Sequence, residues 1–329
     1  MYLSNAVAIF SMKFKQRYLA IIGIAIFIYI IFSTGPEKIF YSLISANISL
    51  LFLSTIILIP ALYLKGIKWK ILTDEFKVKL GVNEATKISI IGISFGTITP
   101  GRIGELSRAF YLSKKNLNLG KSLSSIFLDR LFDIISLVVL SFLGLIFILS
   151  KFYFTSIIEI FIIFIIVYSV VFIALTKKKI TFIIARPFFN SIIPEKYKDK
   201  LKLAFDSFYD GLNLLKRRKM KLMVAFILSL ADWLISFVQS YIILLAFGYN
   251  ISYFNLIFII PLSVLVTLIP ISIAGLGTRE ATFIYLFSLF SIPPEISVSY
   301  SIASLVFSSL LVSFFGLILW SRNPVKIKL

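Results

Sequence analysis

The chain has 329 residues, of which 59% are hydrophobic and 15% are charged. Soluble domains are about half apolar and about one-quarter charged, so this composition excludes an ordinary soluble fold. Cysteine and histidine are both absent, which excludes disulfides, cysteine nucleophiles, the usual zinc and haem ligands, and Ser-His-Asp catalysis. The net charge of +19 does not indicate nucleic-acid binding, because the cations cluster in loops beside apolar segments, where they set topology and contact anionic lipid.

Apolar segments along the whole chain predict an all-α polytopic membrane protein that forms a single domain over residues 1–329. About twenty apolar residues are needed to cross the hydrocarbon core, and about six segments approach or exceed that length. These predicted full spans lie at about 19–34, 48–64, 123–149, 152–175, 222–247 and 296–320. The N-terminal segment lacks the features of a cleaved signal peptide, so we expect the first span to be retained.

Basic residues predict the side of the membrane on which each loop lies, because Lys and Arg concentrate in cytoplasmic loops. Cations precede the first span and follow the second, so the weakly charged loop 35–47 between these spans is expected outside. These cations are Lys13, Lys15, Arg17, Lys65, Lys68, Lys70, Lys77 and Lys79. The same reasoning, continued along the chain, predicts that both termini are cytoplasmic and that the protein lies in the cell (plasma) membrane.

Residues 85–99 form a short apolar segment that contains Lys87, and basic residues lie before this segment and after it, in the stretch that continues to residue 112 and beyond. This pattern predicts a re-entrant hairpin that enters and leaves the membrane on the cytoplasmic side. The turn reads TPGRIGELSR. The residues expected to break the helix are Pro100, Gly101 and Gly104.

A helix break of this kind frees backbone N–H groups, and in lipid these need a partner. Helix N-termini beside arginine side chains form anion sites. We therefore predict that Arg102 and Arg108 bind an anionic head group and that Glu105 is their partner or a proton-coupled group. The alternative is that Glu105 and Arg108 form an ion pair that only locks the hairpin.

The next span begins with LDRLFD, in which Asp129 and Asp133 are four residues apart and share a helical face. An arginine from a hairpin could pair with both carboxylates, and Arg130 lies between them in the sequence. The two carboxylates could equally be hydrated at the cytoplasmic interface, so their membership of the site stays open. Glu159, in the span after that, is interpreted as an interfacial residue or an isolated ion pair.

Residues 176–222 carry the largest basic cluster and are predicted to be a cytoplasmic loop. Apolar side chains recur within it at helical spacing. They are Leu201, Phe205, Phe208, Leu212 and Leu215. This periodicity predicts an amphipathic helix that lies on the inner membrane surface as a tether.

Asp232 lies about ten residues into a span, where a carboxylate must be paired, protonated or in contact with water. Gln239 follows seven residues later on the same helical face. We expect Arg279 or Arg130 to be the ion-pair partner of Asp232.

Residues 254–289 are apolar but broken, and the loops on either side contain neither Lys nor Arg. This pattern predicts a second re-entrant hairpin, which opens outward. The turn reads IPISIAGLGTREA, and its expected breaks are Pro270, Gly275 and Gly277. By the argument applied to the first hairpin, Arg279 is predicted to bind the head group, with Glu280 as its partner or a proton-coupled group. The alternative is that Arg279 pairs with a carboxylate of a neighbouring helix and only locks the hairpin.

The two hairpins complete an internal symmetry. A span, a hairpin and a span at about 48–149 are followed by the same series, in the opposite orientation, at about 222–320. Transporters with such inverted repeats bind substrate where their interrupted helices meet, near the bilayer midplane.

The three motifs TPGRIGELSR, LDRLFD and IPISIAGLGTREA occur in an order and spacing that resemble the flippase-like family named after the transmembrane region of lysylphosphatidylglycerol synthases. The resemblance covers about residues 45–320 and implies lipid translocation. The residues to which it points are Pro100, Gly101, Arg102, Gly104, Glu105, Arg108, Asp129, Arg130, Asp133, Gly275, Gly277, Arg279 and Glu280. Because the soluble synthase domain is not part of this sequence, no synthase activity is expected.

We therefore expect a non-enzymatic lipid flippase that moves an anionic phospholipid or a polyprenyl-phosphate-linked lipid, with membrane lipids as partners, no cofactor and no metal. A homo-oligomer is left open. One competing hypothesis is a transporter of small soluble anions. Others are a scaffold held by ion pairs and an intramembrane enzyme in which Asp129, Asp133 and Glu105 bind a divalent metal.

Overall fold

The computed structural model describes residues 15–149, 162, 166, 176–192, 195–268 and 275–325. All regular secondary structure in these residues is helical. The helices of the first part are α1 (Lys15–Thr34), α2 (Pro36–Ile44), α3 (Ile48–Asp74), α4 (Val82–Thr97), a 3₁₀ helix (Pro100–Ser107), α5 (Arg108–Ser113) and α6 (Leu119–Leu149). Those of the second part are α7 (Lys178–Ile192), α8 (Glu195–Lys216), α9 (Lys219–Ala246), α10 (Tyr253–Leu268), α11 (Thr278–Ser288), α12 (Pro294–Ser304), a π-helix (Leu305–Leu310) and α13 (Leu311–Arg322).

Three of the described helical segments are long and apolar enough to cross a membrane. They are α3, α9 and the continuous segment Pro294–Arg322, which have 27, 28 and 29 residues. Helices α1 and α2 add a fourth span if they are counted together, although their axes meet at 84°. The prediction of an all-α membrane protein is confirmed for the described residues. Of the about six full spans that we expected, the one at 152–175 lies almost entirely outside them.

Helices α3 and α9 form an antiparallel pair at the centre of the fold. At one end, the backbone N–H of Asn47 donates to the carbonyl oxygen of Ala246 over 2.8 Å. At the other end, Glu75 lies 2.8 Å from the side chain of Arg218 and pairs with Lys221. The side chain of Asn47 also accepts from the N–H of Leu50 over 3.2 Å, which caps α3. Each end of one helix is therefore fixed to the opposite end of the other.

The segment after α4 folds back along that helix. Glycines make the close approach possible, because a Cβ atom added to Gly96 would lie 2.6 Å from Glu105 Cγ and one added to Gly104 would lie 2.1 Å from the carbonyl oxygen of Phe95. Ala85, near the start of α4, and Leu112, near the end of α5, are buried in the same hydrophobic cluster. The two arms therefore start and finish at the same end, as the sequence predicted for a hairpin.

The second hairpin consists of α10 and α11. Its break includes Gly275 and Gly277, whose φ angles of 78° and 83° lie in the left-handed region that favours glycine. A Cβ atom added to Gly275 would lie 2.5 Å from Thr267 of α10, so the hairpin is tight at this point. The predicted break at Pro270 lies outside the described residues.

Each hairpin packs against a long helix from the other half of the chain. Phe95 of α4 contacts Trp320 of α13, with ring centroids 5.6 Å apart. Phe258 of α10 packs against Gly144 of α6, where an added Cβ atom would lie 2.7 Å from the Phe258 Cβ. These contacts link the two halves of the chain in addition to the α3–α9 pair.

Three segments differ from the predictions. The predicted outer loop 35–47 contains helix α2, which begins at Pro36, a residue that favours the first turn of a helix. The predicted loop after residue 64 is the last part of α3, which continues to Asp74. Loop 176–222 contains two helices, and Glu159 lies outside the described residues.

The predicted amphipathic helix is present as α8, but its apolar face is covered by protein. Leu212 and Leu215 are buried in a cluster with Leu128 of α6 and Ala225 of α9. Leu201 remains 41% exposed. The expectation that this face as a whole lies on the membrane surface is therefore wrong, because α6 and α9 provide the apolar surface that buries it.

Candidate functional site

Nine charged side chains from α3, the first hairpin, α6 and α9 form one connected network, which we call the first charge cluster. It contains Lys65, Lys68, Arg102, Glu105, Arg108, Asp129, Arg130, Asp133 and Asp232. Five of these groups are cationic and four are carboxylates, so the cluster has an excess of one positive charge when all are ionised. Buried ions need such partners, because removal from water is costly for each of them.

Lys68 is the centre of the first charge cluster. Its side chain is fully buried, and its Nζ lies 2.9 Å from Asp129 Oδ1 and pairs with Asp133. The same Nζ donates to the hydroxyl of Ser229 over 3.0 Å. From the sequence, Lys68 was expected to be a cytoplasmic loop charge. This was wrong, because α3 continues past its apolar part and turns this side chain toward α6 and α9.

The first hairpin is connected to α6 by its arginine and glutamate. Arg108 Nη1 lies 2.8 Å from Asp129 Oδ2, and its guanidinium lies 5.0 Å from the centroid of the Trp69 ring. Arg130 Nη2 lies 2.6 Å from Glu105 Oε2, whereas the pair of Arg108 with the same oxygen is longer, at 3.8 Å.

The predicted bridging of Asp129 and Asp133 by one hairpin arginine is therefore wrong. Arg108 reaches Asp129, and Lys68 is the cation from another helix that contacts both carboxylates. Both carboxylates are buried, so neither is hydrated at an interface. Asp129, Arg130 and Asp133 belong to the same network as the hairpin residues.

Asp232 is paired with Lys65, with 3.4 Å between its Oδ2 and the Nζ of the lysine. Neither Arg130 nor Arg279, the partners expected from the sequence, forms an ion pair with it among the described residues. Lys65 also lies 3.4 Å from Asp133 Oδ2. Like Lys68, Lys65 was missed as a site residue because its position among other lysines is typical of a loop.

Arg102 differs from the other arginines of this cluster. Its φ of 56° lies in the left-handed region, which is unusual for a residue other than glycine and is often found at functional sites. Its side chain is 45% exposed, and its ion pair with Glu105 measures 4.0 Å. It is thus the least constrained cation of the first charge cluster.

A smaller group of residues at the second hairpin, Arg279, Glu280, Ser301 and Gly277, forms the second charge cluster. Arg279 Nη2 donates to Glu280 Oε1 over 2.9 Å, and Arg279 Nε donates to Ser301 Oγ over 2.7 Å. The other oxygen of Glu280 accepts the backbone N–H of Gly277 over 2.7 Å. Glu280 therefore caps α11 and holds Arg279, as predicted for its role as partner.

A cavity of about 220 Å³ lies between the two charge clusters. Its charged lining residues are Lys65, Arg102, Asp232 and Arg279. Both hairpins reach it, because Gly96 and Thr99 line it from the first hairpin, and Thr267 and Arg279 line it from the two arms of the second. The predicted head-group residues Glu105, Arg108, Asp129, Arg130, Asp133 and Glu280 are not among its lining residues.

The cavity wall also contains polar groups that were not predicted to be site residues, although Gln239 was expected on the same helical face as Asp232. The side-chain amide nitrogen of Gln239 is buried without a hydrogen-bond partner among the described residues, and this residue lines the cavity. Ser308 and Ser309 line it from the π-helix. Wide helical turns of this kind occur frequently at functional sites.

The described residues contain no group of three or more acidic side chains placed to hold a metal ion. Glu105, Asp129 and Asp133, which were considered as metal ligands, each have arginine or lysine partners instead. These cations would repel a divalent metal.

Comparison with known proteins identifies a family. The family model described as the lysylphosphatidylglycerol synthase TM region matches residues 20–316. A UPF0104 membrane protein of Methanothermobacter thermautotrophicus is 22% identical over 320 residues, which cover 93% of this chain and 94% of the relative. Another of Pyrococcus horikoshii is 22% identical, with 94% and 97% covered, and one of Methanocaldococcus jannaschii is 24% identical, with 92% and 94% covered. No solved structure matches the chain.

Proposed function

We propose that this chain, which belongs to the family of the lysylphosphatidylglycerol synthase TM region, moves an anionic phospholipid or a polyprenyl-phosphate-linked lipid between the leaflets of the membrane. On this proposal it is a transporter and has no enzymatic activity. The observation that carries the proposal is the cavity between the two hairpin breaks, which is lined by three cations and one carboxylate.

The charges of the cavity favour an anion. Asp232 is already paired with Lys65 and Arg279 with Glu280, so the positive charge in excess comes from the first charge cluster, whose cation at the cavity with the weakest ion pair is Arg102. Arg102 is half-exposed and has one long ion pair, so its side chain can turn toward a phosphate with little loss of existing interactions. A guanidinium binds phosphate through two parallel hydrogen bonds, which gives geometric selectivity as well as affinity.

Arg279 is suited to hold such a group from the other side. Its guanidinium is kept in place by Glu280 and Ser301, so its orientation is fixed before a ligand arrives. A preorganised cation of this kind binds an anion at a lower entropic cost than a mobile side chain does.

We further propose that residues 48–149 and 222–320 are inverted repeats. Three contacts support this interpretation. Helices α3 and α9, the first spans of the two repeats, are antiparallel. The first arm of each hairpin packs against the last span of the other repeat, α4 on α13 and α10 on α6, which is the exchange that a two-fold axis between the repeats requires.

In the proposed mechanism the two hairpins expose the cavity alternately to the two leaflets. The head group exchanges its hydration water for contacts with arginine side chains, while the acyl or prenyl tails stay in lipid. On this proposal both termini are cytoplasmic, the protein lies in the plasma membrane, the hairpins are re-entrant, and membrane lipids are the partners.

The experiment that tests this function measures lipid movement in proteoliposomes. Wild-type protein is reconstituted with head-group-labelled phosphatidylglycerol, and Arg102→Ala is compared with Arg322→Ala, an exposed arginine at the end of α13. We expect Arg102→Ala to lower the rate about tenfold, since a charge-assisted hydrogen bond contributes roughly 1.5–3 kcal/mol. Arg322→Ala should move lipid at the wild-type rate.

Two outcomes would contradict the proposal. If the wild-type protein leaves the labelled lipid in its leaflet but takes up a soluble anion such as phosphate, it is a soluble-anion transporter. If Arg102→Ala and Arg322→Ala move lipid equally fast, the cavity is not the route. Mass spectrometry of lipids retained by the purified wild-type protein and by Arg102→Ala identifies the natural lipid.

A further inference from the structure

Lys65 is shared between two carboxylates at the edge of the cavity. Its Nζ lies 3.4 Å from Asp133 Oδ2 and 3.4 Å from Asp232 Oδ2. Lys65 and Asp232 both line the cavity, whereas Asp133 does not. An anion that enters the cavity can therefore contact Lys65 from the side on which Lys65 pairs with Asp232.

If Lys65 turns toward a ligand, the two carboxylates differ in the hydrogen-bond and ion-pair partners that they keep. Asp133 keeps its pairs with Lys68 and Arg130 and the hydroxyl of Ser229. Asp232 has Lys65 as its one ion-pair partner within the part of the chain that the structure describes. Its side chain is only 7% exposed, so it has little contact with bulk water that could replace the lysine as a counter-ion.

A buried carboxylate that loses its counter-ion in a site of low dielectric constant binds a proton. On the basis of the function proposed above, we propose that Asp232 binds one proton for each lipid anion that pairs with Lys65, so that lipid movement is coupled to proton movement. The proton is then the coupling ion, and Asp232 is the residue that carries it.

Other charged or titratable groups around Asp232 set the conditions for this exchange. They are Lys65 and Lys68 on α3, Arg130 and Asp133 on α6, Arg102 on the first hairpin, Arg279 on α11 and Tyr300 on α12. Lys68 and Arg130 are engaged by other carboxylates. The entering phosphate brings a further negative charge, which adds to the tendency of Asp232 to be protonated.

The exchange balances in charge and in protons. The lipid phosphate forms an ion pair with the Lys65 ammonium, the pair of Lys65 with Asp232 breaks, and a proton from the aqueous phase binds the freed carboxylate oxygen. When the phosphate leaves on the other side, the proton returns to water and the original pair forms again. A monoanionic lipid is thus moved together with one proton and without net charge, so a proton gradient can drive it.

The test measures proton uptake when the full-length protein in detergent binds dihexanoyl-phosphatidylglycerol in a weakly buffered solution. Wild-type protein should take up about one proton per ligand bound, and its affinity should fall by up to about tenfold per pH unit where Asp232 is ionised in the free protein but protonated in the complex, as linkage requires. Asp232→Asn should bind at least as tightly, with no proton uptake and no dependence on pH, because Lys65 is then free of one carboxylate.

Two further variants are controls for structural damage. Asp206→Asn changes an aspartate on α8 whose side chain is 45% exposed, and it should behave as the wild type does. Asp232→Glu retains a titratable group and should retain proton uptake. If Asp232→Asn weakens binding while Asp232→Glu binds normally without protons, the carboxylate is structural and the proposal is wrong.

The outcomes separate this proposal from the proposed function. Wild-type protein that binds the lipid without taking up protons overturns the coupling but leaves lipid transport intact. Equal proton uptake by wild type and Asp232→Asn also overturns the coupling. Wild-type protein that binds no lipid overturns both proposals.

Discussion

The two charge clusters face the same cavity but are built in different ways. In the first, Glu105 lies within 4.0 Å of three arginines, and Asp129 and Asp133 each contact several cations. In the second, one arginine and one glutamate hold each other, with Ser301 and the backbone of Gly277 as further partners. The first cluster joins α3, the first hairpin, α6 and α9, whereas the second is nearly confined to the start of α11.

This difference indicates different roles for the two hairpins. A network that connects four elements fixes the first hairpin to the body of the protein, and it does not depend on any one carboxylate. The second cluster involves only α11, the glycine before it and, through Ser301, α12, so it can move with these two helices as a unit. We infer that, of the two hairpins, the second has the greater freedom to change its position during transport.

Lys68→Met should have the largest effect on stability. The methionine fills a similar volume but removes the fully buried ammonium that contacts Asp129, Asp133 and Ser229 together, although other cations still contact the two carboxylates. Removal of one partner from a buried ion pair costs roughly 3–5 kcal/mol. We expect the upper end of this range, measured as the free energy of unfolding in mixed detergent micelles. Lys70→Met is the matched control, since Lys70 is partly exposed and pairs with Asp74 on its own helix.

Surface pairs contribute about 0–1 kcal/mol, so Lys70→Met should lower the free energy of unfolding by no more than that. Equal losses in the two lysine variants would show that the first charge cluster does not depend on Lys68. The contrast between the clusters would then need another explanation.

Glu280→Ala should destabilise the protein more than Glu105→Ala does, although both glutamates are buried. Without Glu280, Arg279 has no carboxylate partner among the described residues, and the cost should lie near the lower end of the range of about 3–5 kcal/mol for a broken buried pair. Without Glu105, Arg108 keeps Asp129 and Arg130 keeps Asp133. The same unfolding experiment compares the two variants. A larger loss of unfolding free energy for Glu105→Ala would show that the second charge cluster, and not the first, has alternative ion-pair partners.

Glu75→Gln should have the smallest effect on stability, and this effect measures the contribution of a solvated ion pair. The hydrogen bond from Lys221 lowers the pKa of Glu75, and Arg218 adds to this. Because the folded-state pKa is depressed, the stabilisation is present above the ordinary glutamate pKa of about 4.3 and is lost as the pH falls through the lower, folded value. Since Arg218 and Lys221 are at least half-exposed, we expect about 0.5–1 kcal/mol.

The measurement is the free energy of unfolding of wild type and Glu75→Gln at about pH 7 and about pH 3. The gap between the two proteins should be present at the higher pH and should close at the lower one. A gap that is the same at both values would show that the ionised carboxylate does not stabilise the junction of α3 and α9.

Much of the site was predicted from the sequence because charged residues and glycines are conspicuous among apolar ones. Arg102, Arg279 and Asp232 were selected in this way, and all three line the cavity. Lys65 and Lys68 were missed because lysines that follow an apolar segment are typical of a cytoplasmic loop. A signal was present, since no proline or glycine break separates Lys68 from Asp74, and α3 continues through both.

The sequence by itself determined the membrane class, the family, the positions of both hairpin turns and most of the charged residues of the site. These depend on composition, on helix-breaking residues and on local motifs, which are properties of neighbouring residues along the chain. Only the tertiary structure decided that Lys65 pairs with Asp232, that Lys68 is buried, and that the face of α8 packs on protein. Such pairings depend on which faces of distant helices meet, and the sequence does not record those faces.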